Sequence, residues 1–238
     1  MLLILANMAE AHQPFVVGNQ AYSEQTAFVV EEPEVSIVVY AQPDCERKEV
    51  WLALEGEPGE EVYVELGVPL ADSLEGWHPK LALVEEGLEN DASLELPEGL
   101  GGQELLPLSE PERFDEPFSG TSSWILVKQY VTMPETGPAW VVAYPPEEGV
   151  GRLWVAVGEV ERFDQEDWER TFDLMDDIRS FHGLDGTTIP APDACAPPPA
   201  RKEEPAGCAT TSSALNPCLL LVAMAITGRR NQIGRAHV

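Results

Sequence analysis

The fold is decided by three apolar segments that follow one another closely: Trp124-Ile-Leu-Val-Lys-Gln-Tyr-Val131, Ala139-Trp-Val-Val-Ala-Tyr144 and Arg152-Leu-Trp-Val-Ala-Val157. Each is rich in β-branched and aromatic residues, which fit the pleated, half-buried surface of a strand. Pro134-Glu-Thr-Gly137 separates the first two segments, and residues 145–151 separate the last two, so both connections contain turn-forming residues. The pattern predicts three successive strands with no helix between them.

Four earlier segments have the same character, at residues 35–41, 50–54, 62–66 and 79–84. The turn residues Glu57-Pro-Gly-Glu60 lie between the second and the third, so we expect these two to pair as a hairpin. Many short strands without intervening helices indicate an all-β fold. We therefore predict an antiparallel β-sandwich or jelly roll over residues 12–163, followed by one C-terminal amphipathic helix.

Residues 86–121 interrupt this pattern. Gly, Pro and acidic residues dominate there, as in Leu96-Pro-Glu-Gly-Leu-Gly-Gly102. The segment predicts a long loop, and a loop of that length in a compact domain is either functional or mobile.

The helix is predicted over residues 164–183. Asp164 is a suitable N-cap, and Gly183 is a suitable end. Trp168, Phe172, Met175 and Ile178 recur at helical spacing and form one apolar stripe. This stripe either packs on the sandwich or docks a partner.

The charge is strongly one-sided, with 42 acidic and 14 basic residues and a formal net charge of −28. Such a surface repels nucleic acid and anionic membranes, because both need clustered Lys and Arg. It suits a soluble extracellular protein, and divalent cations such as calcium could bridge some carboxylates. No calcium-loop motif occurs, so the calcium hypothesis rests on composition alone.

Cysteine usage is sparse. Cys45 lies in the predicted sandwich, Cys195 in the segment after the helix, and Cys208 and Cys218 near the C-terminus. No dense disulfide framework is implied. A Cys45–Cys195 bridge is possible, but no spacing rule predicts it.

The N-terminal residues indicate export. Met1-Leu-Leu-Ile-Leu-Ala6 is apolar, and Ala9-Glu-Ala11 has the small-x-small pattern of a signal-peptidase site, with Ala11 as the last residue removed. We therefore expect a truncated signal peptide at residues 1–11. Residues 233–238 read like a translated sequencing adapter and are left out of the argument.

The C-terminal residues point the same way. Residues 184–206 form a Pro-rich linker, which favours extended conformations. Gly207-Cys208, an apolar run at residues 218–226 and Arg229-Arg230 follow. Residues 207–232 resemble the myxobacterial C-terminal sorting tail, whose Cys is the processing and anchoring point. The resemblance implies that Cys208 has this role and that the tail is the only contact with the membrane.

A second resemblance concerns the sandwich. Glu31-Glu-Pro-Glu-Val-Ser36, Glu55-Gly-Glu-Pro-Gly59 and Gly149-Val-Gly-Arg-Leu-Trp-Val155 together resemble the bacterial pre-peptidase C-terminal domain, over residues 27–160. The chain departs from that family at Lys48-Glu-Val-Trp51 and in residues 86–121. The resemblance implies an accessory or binding role in an envelope protein, without catalysis.

Catalytic patterns are missing from the sequence. Three histidines occur at residues 12–183, and neither a nucleophile elbow nor zinc spacing accompanies them. We predict no catalytic residue and no cofactor. Trp77, in the loop Glu75-Gly-Trp-His78, is the exposed aromatic residue best placed for a ligand contact, with His78 beside it.

The sequence thus favours an exported, surface-anchored β-sandwich with a non-catalytic binding or structural role at the cell envelope. Its partner would be an extracellular ligand or an envelope component. Two alternatives stay open: an extracellular hydrolase that uses a pair of carboxylates in the acidic insertion, and a calcium-stabilised structural module.

Overall fold

The computed structural model describes residues 12–146, 149–192 and 195. These residues form eleven β-strands and one α-helix. The predicted signal peptide with Ala11, most of the Pro-rich linker, the tail with Cys208 and residues 233–238 lie outside the described residues.

The strands form two sheets. The first has six strands in the order β1-β3-β11-β5-β9-β8: β1 (Gln13–Val16), β3 (Ile37–Ala41), β11 (Leu153–Val157), β5 (Glu61–Pro69), β9 (Thr121–Thr132) and β8 (Pro107–Glu116). The second has five in the order β2-β4-β10-β6-β7: β2 (Phe28–Val30), β4 (Val50–Leu54), β10 (Ala139–Tyr144), β6 (Lys80–Glu86) and β7 (Leu100–Glu104). The predicted β-rich fold is confirmed, and the two sheets are compatible with a β-sandwich.

Both sheets are mixed, so the expectation of purely antiparallel sheets is wrong. β1 runs parallel to β3 and β2 runs parallel to β4, while the other pairs are antiparallel. The first four strands alternate between the sheets. The chain reverses direction each time it crosses to the other sheet, so after two crossings it runs in its original direction. β3 therefore lies parallel to β1, and β4 parallel to β2.

The hairpin expected between residues 50–54 and 62–66 is also wrong. β4 lies in the second sheet between β2 and β10, whereas β5 lies in the first sheet between β11 and β9. The turn residues Glu57–Glu60 do reverse the chain, and the Gly59 amide donates to the Met133 carbonyl at 3.0 Å. A turn signal predicts a reversal, but the reversal here carries the chain from one sheet to the other.

The core lies between the sheets. Inward residues of β3 and β11, such as Val39 and Val155, share one buried cluster with Leu52 of β4 and Val141 of β10. Every residue of β3, β10 and β11 is buried, so both faces of these strands are covered. This two-sided burial explains why the segments are continuously apolar and do not alternate.

Residues 86–121 are not a loop. They contain β7 and β8, and their first part covers the outer face of the second sheet, where Ala92 and Leu94 pack with Trp51 and Trp140. Gly101 lies in β7, and a Cβ there would lie 1.9 Å from the Leu88 carbonyl oxygen. Only glycine therefore fits at this position of the strand. The glycines that resembled loop residues allow two backbones to approach closely.

The helix α1 (Gln165–Phe181) begins with a capping box. The Asp167 amide donates to the Asp164 carboxylate, and the Asp164 amide donates to the Asp167 carboxylate. The buried helix residues are Thr171, Ile178 and Phe181. Of the predicted stripe, Ile178 is buried, whereas Trp168 and Phe172 remain 40% and 62% exposed.

The helix covers the outer face of the first sheet. Ile178 and Phe181 pack with Tyr40 of β3, Ile125 of β9 and Trp154 of β11. The Arg152 guanidinium fixes the C-terminal end of α1 by donating to the carbonyl oxygens of Ser180 and Phe181, at 2.9 and 2.7 Å. The helix therefore forms a third layer, which lies against the outer face of the first sheet.

A disulfide joins Cys45 to Cys195, with a Cα–Cα distance of 5.3 Å and a sequence separation of 150. Cys45 lies between β3 and β4, and Cys195 lies beyond the helix. The pairing that the sequence left open is formed in the structure. It ties the chain after α1 to the body of the sandwich.

Candidate functional site

The candidate site is the cavity between helix α1 and the outer face of the first sheet, which we call the groove. Its volume is about 320 Å³. Most of its lining is apolar: Pro14, Val38, Tyr40, Phe114, Phe118, Trp154, Phe163, Trp168, Met175 and Ile178. Its polar lining residues are His12, Glu116, Ser119, Thr121, Ser123, Glu161, Thr171 and His182. An apolar cavity of this size with a few polar groups has the usual composition of a small-molecule site.

The mouth of the groove is aromatic. Phe163 stacks on Trp168 with ring centroids 4.7 Å apart, and Phe118 lies 5.9 Å from Trp168. Phe172, just outside the lining, extends the cluster at 5.8 Å from Phe118. Phe118, Trp168 and Phe172 are 46%, 40% and 62% exposed. Three adjacent exposed rings are a patch that needs an explanation, because single exposed apolar residues are common but clusters mark binding surfaces.

The groove's floor holds a chain of hydrogen bonds. The Trp154 indole N–H donates to Ser123 Oγ at 3.0 Å, and Ser123 Oγ lies 3.2 Å from His182 Nε2. His182 Nδ1 lies 2.8 Å from the Ile178 carbonyl oxygen. A carbonyl can only accept, so Nδ1 carries the proton of the neutral ring and Nε2 accepts from the serine hydroxyl. Each polar side-chain atom of Trp154, Ser123 and His182 in this series of hydrogen bonds can then be assigned as a donor or an acceptor without conflict.

Burial determines the protonation state of that floor. Desolvation lowers the pKa of His182 to about 4, so the ring is neutral at pH 7. The fully buried Tyr40 phenol, which also lines the groove, has its pKa raised by desolvation, with a smaller contribution from the Glu116 charge. Near neutral pH the floor is therefore uncharged.

A tight turn after β8 places Phe118 at the mouth. Glu116 accepts from the Phe118 amide at 2.8 Å and from both the amide and the hydroxyl of Ser119 at 2.5 Å. Ser119 Oγ also lies 2.8 Å from Thr121 Oγ1. The carboxylate thus anchors the turn through neutral donors.

Apart from its two histidines, the ionisable side chains that line the groove near neutral pH are acidic. Glu116 and Glu161 are the carboxylates, and the lining contains neither Lys nor Arg. Arg152, which lies behind the helix end, is engaged by the Ser180 and Phe181 carbonyl oxygens. With a chain net charge of −28, the groove lies in a negative field.

The predicted ligand residues Trp77 and His78 lie elsewhere. Trp77 is 3% exposed, and its indole donates to the Gly149 carbonyl at 2.8 Å. The expectation of an exposed indole is therefore wrong, because residues 149–151 and the sandwich core cover the ring. His78 is exposed, and both residues line a second, less aromatic cavity of about 410 Å³. A ligand contact at these residues stays a prediction.

The groove was missed at the sequence level for a physical reason. Ser123 and His182 are 59 residues apart, and Glu116 and Trp168 come from different elements. No local spacing relates them, since the packing of α1 on the sheet brings them together. The signal that the sequence did offer was the aromatic helix stripe with Trp168 and Phe172, which was open to a partner-docking interpretation.

Among residues 12–146, 149–192 and 195, no group of three or more His, Cys, Asp or Glu side chains is arranged to hold a metal ion. In the same part of the chain, no helix combines the length and apolarity needed to cross a bilayer. Ala11 and Cys208, the predicted processing residues, lie outside it.

Comparison with known proteins leaves the groove as the main source of functional inference, since the chain matches no protein-family model and no curated protein.

Proposed function

We propose that this protein is an exported, surface-anchored β-sandwich that binds a ligand at the cell envelope, and that the groove is its binding site. The observation that carries the proposal is the groove itself: an aromatic mouth, an apolar wall and a neutral floor in which Trp154, Ser123 and His182 are linked by hydrogen bonds. An apolar cavity with a few polar groups has the usual composition of a small-molecule site. The role is non-catalytic binding.

The disulfide supports export. Bridges such as Cys45–Cys195 persist in oxidising compartments and are rare where thiols are kept reduced. The acidic surface, the signal-like residues 1–11 and the sorting-type tail at residues 207–232 favour the same location. Fractionation of the native host, with mass spectrometry of the mature termini, tests this. An envelope-bound chain that begins near His12 and ends near Cys208 is expected, and a cytoplasmic chain with Met1 intact would refute it.

The finer fold is part of the proposal. We regard the sandwich as a jelly roll with an amphipathic helix added to one face. Eight central strands are divided between two four-stranded sets, β3-β11-β5-β9 and β4-β10-β6-β7, and this order agrees with that of a jelly roll. Within this scheme β8 is an insertion, and β1 and β2 extend the edges. The resemblance to the pre-peptidase C-terminal domain, an accessory β-sandwich, agrees with a binding role and stays a proposal.

A neutral apolar probe tests binding. N-phenyl-1-naphthylamine becomes fluorescent in apolar sites, so titration of the full chain should give saturable emission. Trp168→Ala removes an exposed ring of the mouth. It should lower the affinity for the probe by about tenfold, since an aromatic contact is worth about 1 kcal/mol or more. Tyr130→Ala removes another exposed aromatic ring, on β9 and outside the groove lining, and is the control. Equal affinity of wild type and Trp168→Ala would refute the site.

A second candidate function, hydrolysis of esters, is favoured by the Ser123–His182 pair. A serine hydroxyl that donates to a neutral imidazole, itself oriented by a carbonyl, has the arrangement of an activated nucleophile. In such a reaction Ser123 Oγ bonds to the acyl carbon, its proton passes to His182 Nε2 and on to the leaving alcohol, and water then releases the acid. Turnover of p-nitrophenyl esters that Ser123→Ala abolishes would establish it in place of pure binding.

The two original alternatives remain testable. Turnover of polysaccharide substrates that is lost on carboxylate substitution at residues 86–121, with Ser123 intact, would support the acidic-pair hydrolase. A melting temperature that rises with calcium and falls with chelator would support the calcium-stabilised module, because an ion bound by the native state stabilises it.

A further inference from the structure

We propose that the ligand of the groove is an amphiphilic organic cation, with an ammonium-type head and an apolar body. This inference rests on the proposed binding function and names its ligand class. It combines three properties of one cavity: aromatic rings at the mouth, carboxylates beside them and an apolar wall behind.

The carboxylate Glu116 provides the charge. It accepts hydrogen bonds from two amides and one hydroxyl, all neutral. None of the ion pairs among the described residues includes it. Its charge influences the titration of Tyr40 and His182 within the lining, and no Lys or Arg belongs to that lining.

The aromatic rings provide the second half of a cation site. The face of an aromatic ring attracts a cation, most strongly for Trp, and clusters of rings recognise quaternary ammonium groups. Phe118 and Trp168 lie at the mouth, and the Phe118 amide donates to the Glu116 carboxylate at 2.8 Å. A head group at the mouth would meet both rings and carboxylates.

The wall selects an amphiphile over a bare ion. Val38, Ile178 and Met175 line the groove behind the rings, and a volume of about 320 Å³ exceeds what a small head group fills. An anionic amphiphile would suit the same wall, but it would face Glu116 and Glu161 without any Lys or Arg in the lining. Charge complementarity thus decides between ligands that have the same apolar body.

The test compares three ligands with the same tail. Decyltrimethylammonium, decyl glucoside and decyl sulfate, each below its micelle concentration, are titrated into the full chain by calorimetry. We expect the cation to bind at one site per chain, about tenfold or more tighter than the neutral ligand, and the anion weakest. Added salt should weaken the cation selectively, because screening reduces charge attraction.

Variants locate the effect. Glu116→Gln should reduce the ratio of the cation affinity to the neutral-ligand affinity by about tenfold. Glu161→Gln removes a charge from the same lining without touching the turn at Glu116, so it serves if Glu116→Gln disturbs folding. Glu98→Gln removes an equal charge from the exposed segment before β7, outside the groove lining, and is the matched control.

The outcomes separate the two proposals. If all three ligands bind alike at the groove, or the neutral ligand binds best, the binding function stands and the cation inference fails. If Glu98→Gln weakens the cation as much as the groove variants do, or many cations bind per chain, the attraction is a property of the acidic surface and the inference fails. If none of the ligands binds, both proposals fail.

Discussion

His182 shows how one side chain can join the structural and functional parts of this molecule. It caps the C-terminal end of α1, its ring contacts Tyr40 and Phe181, and its two nitrogens face Ser123 and the Ile178 carbonyl. A charged ring would lose the hydrogen bond from Ser123, since a protonated Nε2 can only donate. The neutral ring is therefore part of the folded state.

The stability of the protein should depend on this titration. His182 binds a proton near its ordinary pKa of 6.5 in the unfolded chain but only near 4 in the folded one. Unfolding therefore takes up a proton between these values, and the free energy of unfolding falls as the pH is lowered from 6.5 towards 4, by at most about 3 kcal/mol. Urea denaturation of wild type and His182→Gln across this range measures the effect.

The variant isolates the imidazole from the many carboxylates. Those groups titrate in both proteins and cancel in the difference between the two profiles. The difference should change between pH 6.5 and 4 and be constant above this range. Parallel profiles throughout would contradict the assigned state of His182.

Gly67 is the residue on which the position of Trp154 depends. A Cβ at Gly67 would lie 2.2 Å from Trp154 Cζ2 and 2.8 Å from the Trp124 carbonyl oxygen. We expect Gly67→Ala to lower the free energy of unfolding by about 1–3 kcal/mol, as overpacking does. Because Trp154 must shift, the tryptophan emission and the affinity of the groove for the neutral probe should change as well.

Gly18→Ala is the control for this substitution. Nothing lies within 4 Å of the added Cβ, and its backbone is outside the left-handed region. Its effect should stay within about 0.5 kcal/mol. Equal effects of the two substitutions in urea denaturation would contradict the close packing of Trp154 on Gly67.

At the scale of elements, the helix α1 decides whether the groove exists, because it supplies one wall. Its first turn is fixed by the reciprocal bonds of Asp164 and Asp167. Arg170 adds a bond to Asp167 at 2.7 Å and another to Gln13 of β1 at 3.0 Å. The start of the helix is thereby tied both to itself and to the edge of the first sheet.

Removal of the cap should loosen this wall. Asp164→Ala is expected to lower the free energy of unfolding by about 1 kcal/mol, since the first-turn amides lose their acceptor. Asp176→Ala, an exposed helix position outside the capping box, removes an equal charge without a cap bond and should change stability little. Urea denaturation, with helix content followed by circular dichroism, distinguishes the two. Equal losses would contradict the capping role.

At the scale of the whole molecule, the disulfide is the longest-range covalent restraint. Cys45 and Cys195 enclose most of both sheets and the entire helix. A bridge that closes so long a loop removes many conformations from the unfolded chain. Its contribution is thus expected to be large for a single bond.

Cys45→Ser with Cys195→Ser should lower the free energy of unfolding by about 3–5 kcal/mol. Cys208→Ser with Cys218→Ser, which leaves the bridge intact, should not. Denaturation of both double variants with and without reductant measures the difference, and reductant should destabilise only proteins that keep Cys45 and Cys195. Mass spectrometry of a non-reduced digest that finds another pairing would contradict the structure.

The candidate site was only partly predictable. The aromatic residues Trp168 and Phe172 were recognised as a helix stripe, and one interpretation left them for a partner. The loop Glu75-Gly-Trp-His78 predicts an exposed Trp77, yet the ring of Trp77 is buried. Local composition reports which residues can reach solvent, while the packing of distant segments determines which of them do.

The sequence by itself determined the β-rich class of the fold, the position of the helix and its capped start, since these follow from local propensity and hydrogen bonding. It also located β9, β10 and β11; β10 and β11 are continuously apolar because they are covered on both faces. Only the tertiary structure decided which strands pair, the parallel edges, the strand nature of residues 100–104 and the groove. These depend on contacts between residues far apart in the chain, and no local pattern encodes which of two sheets a strand will join.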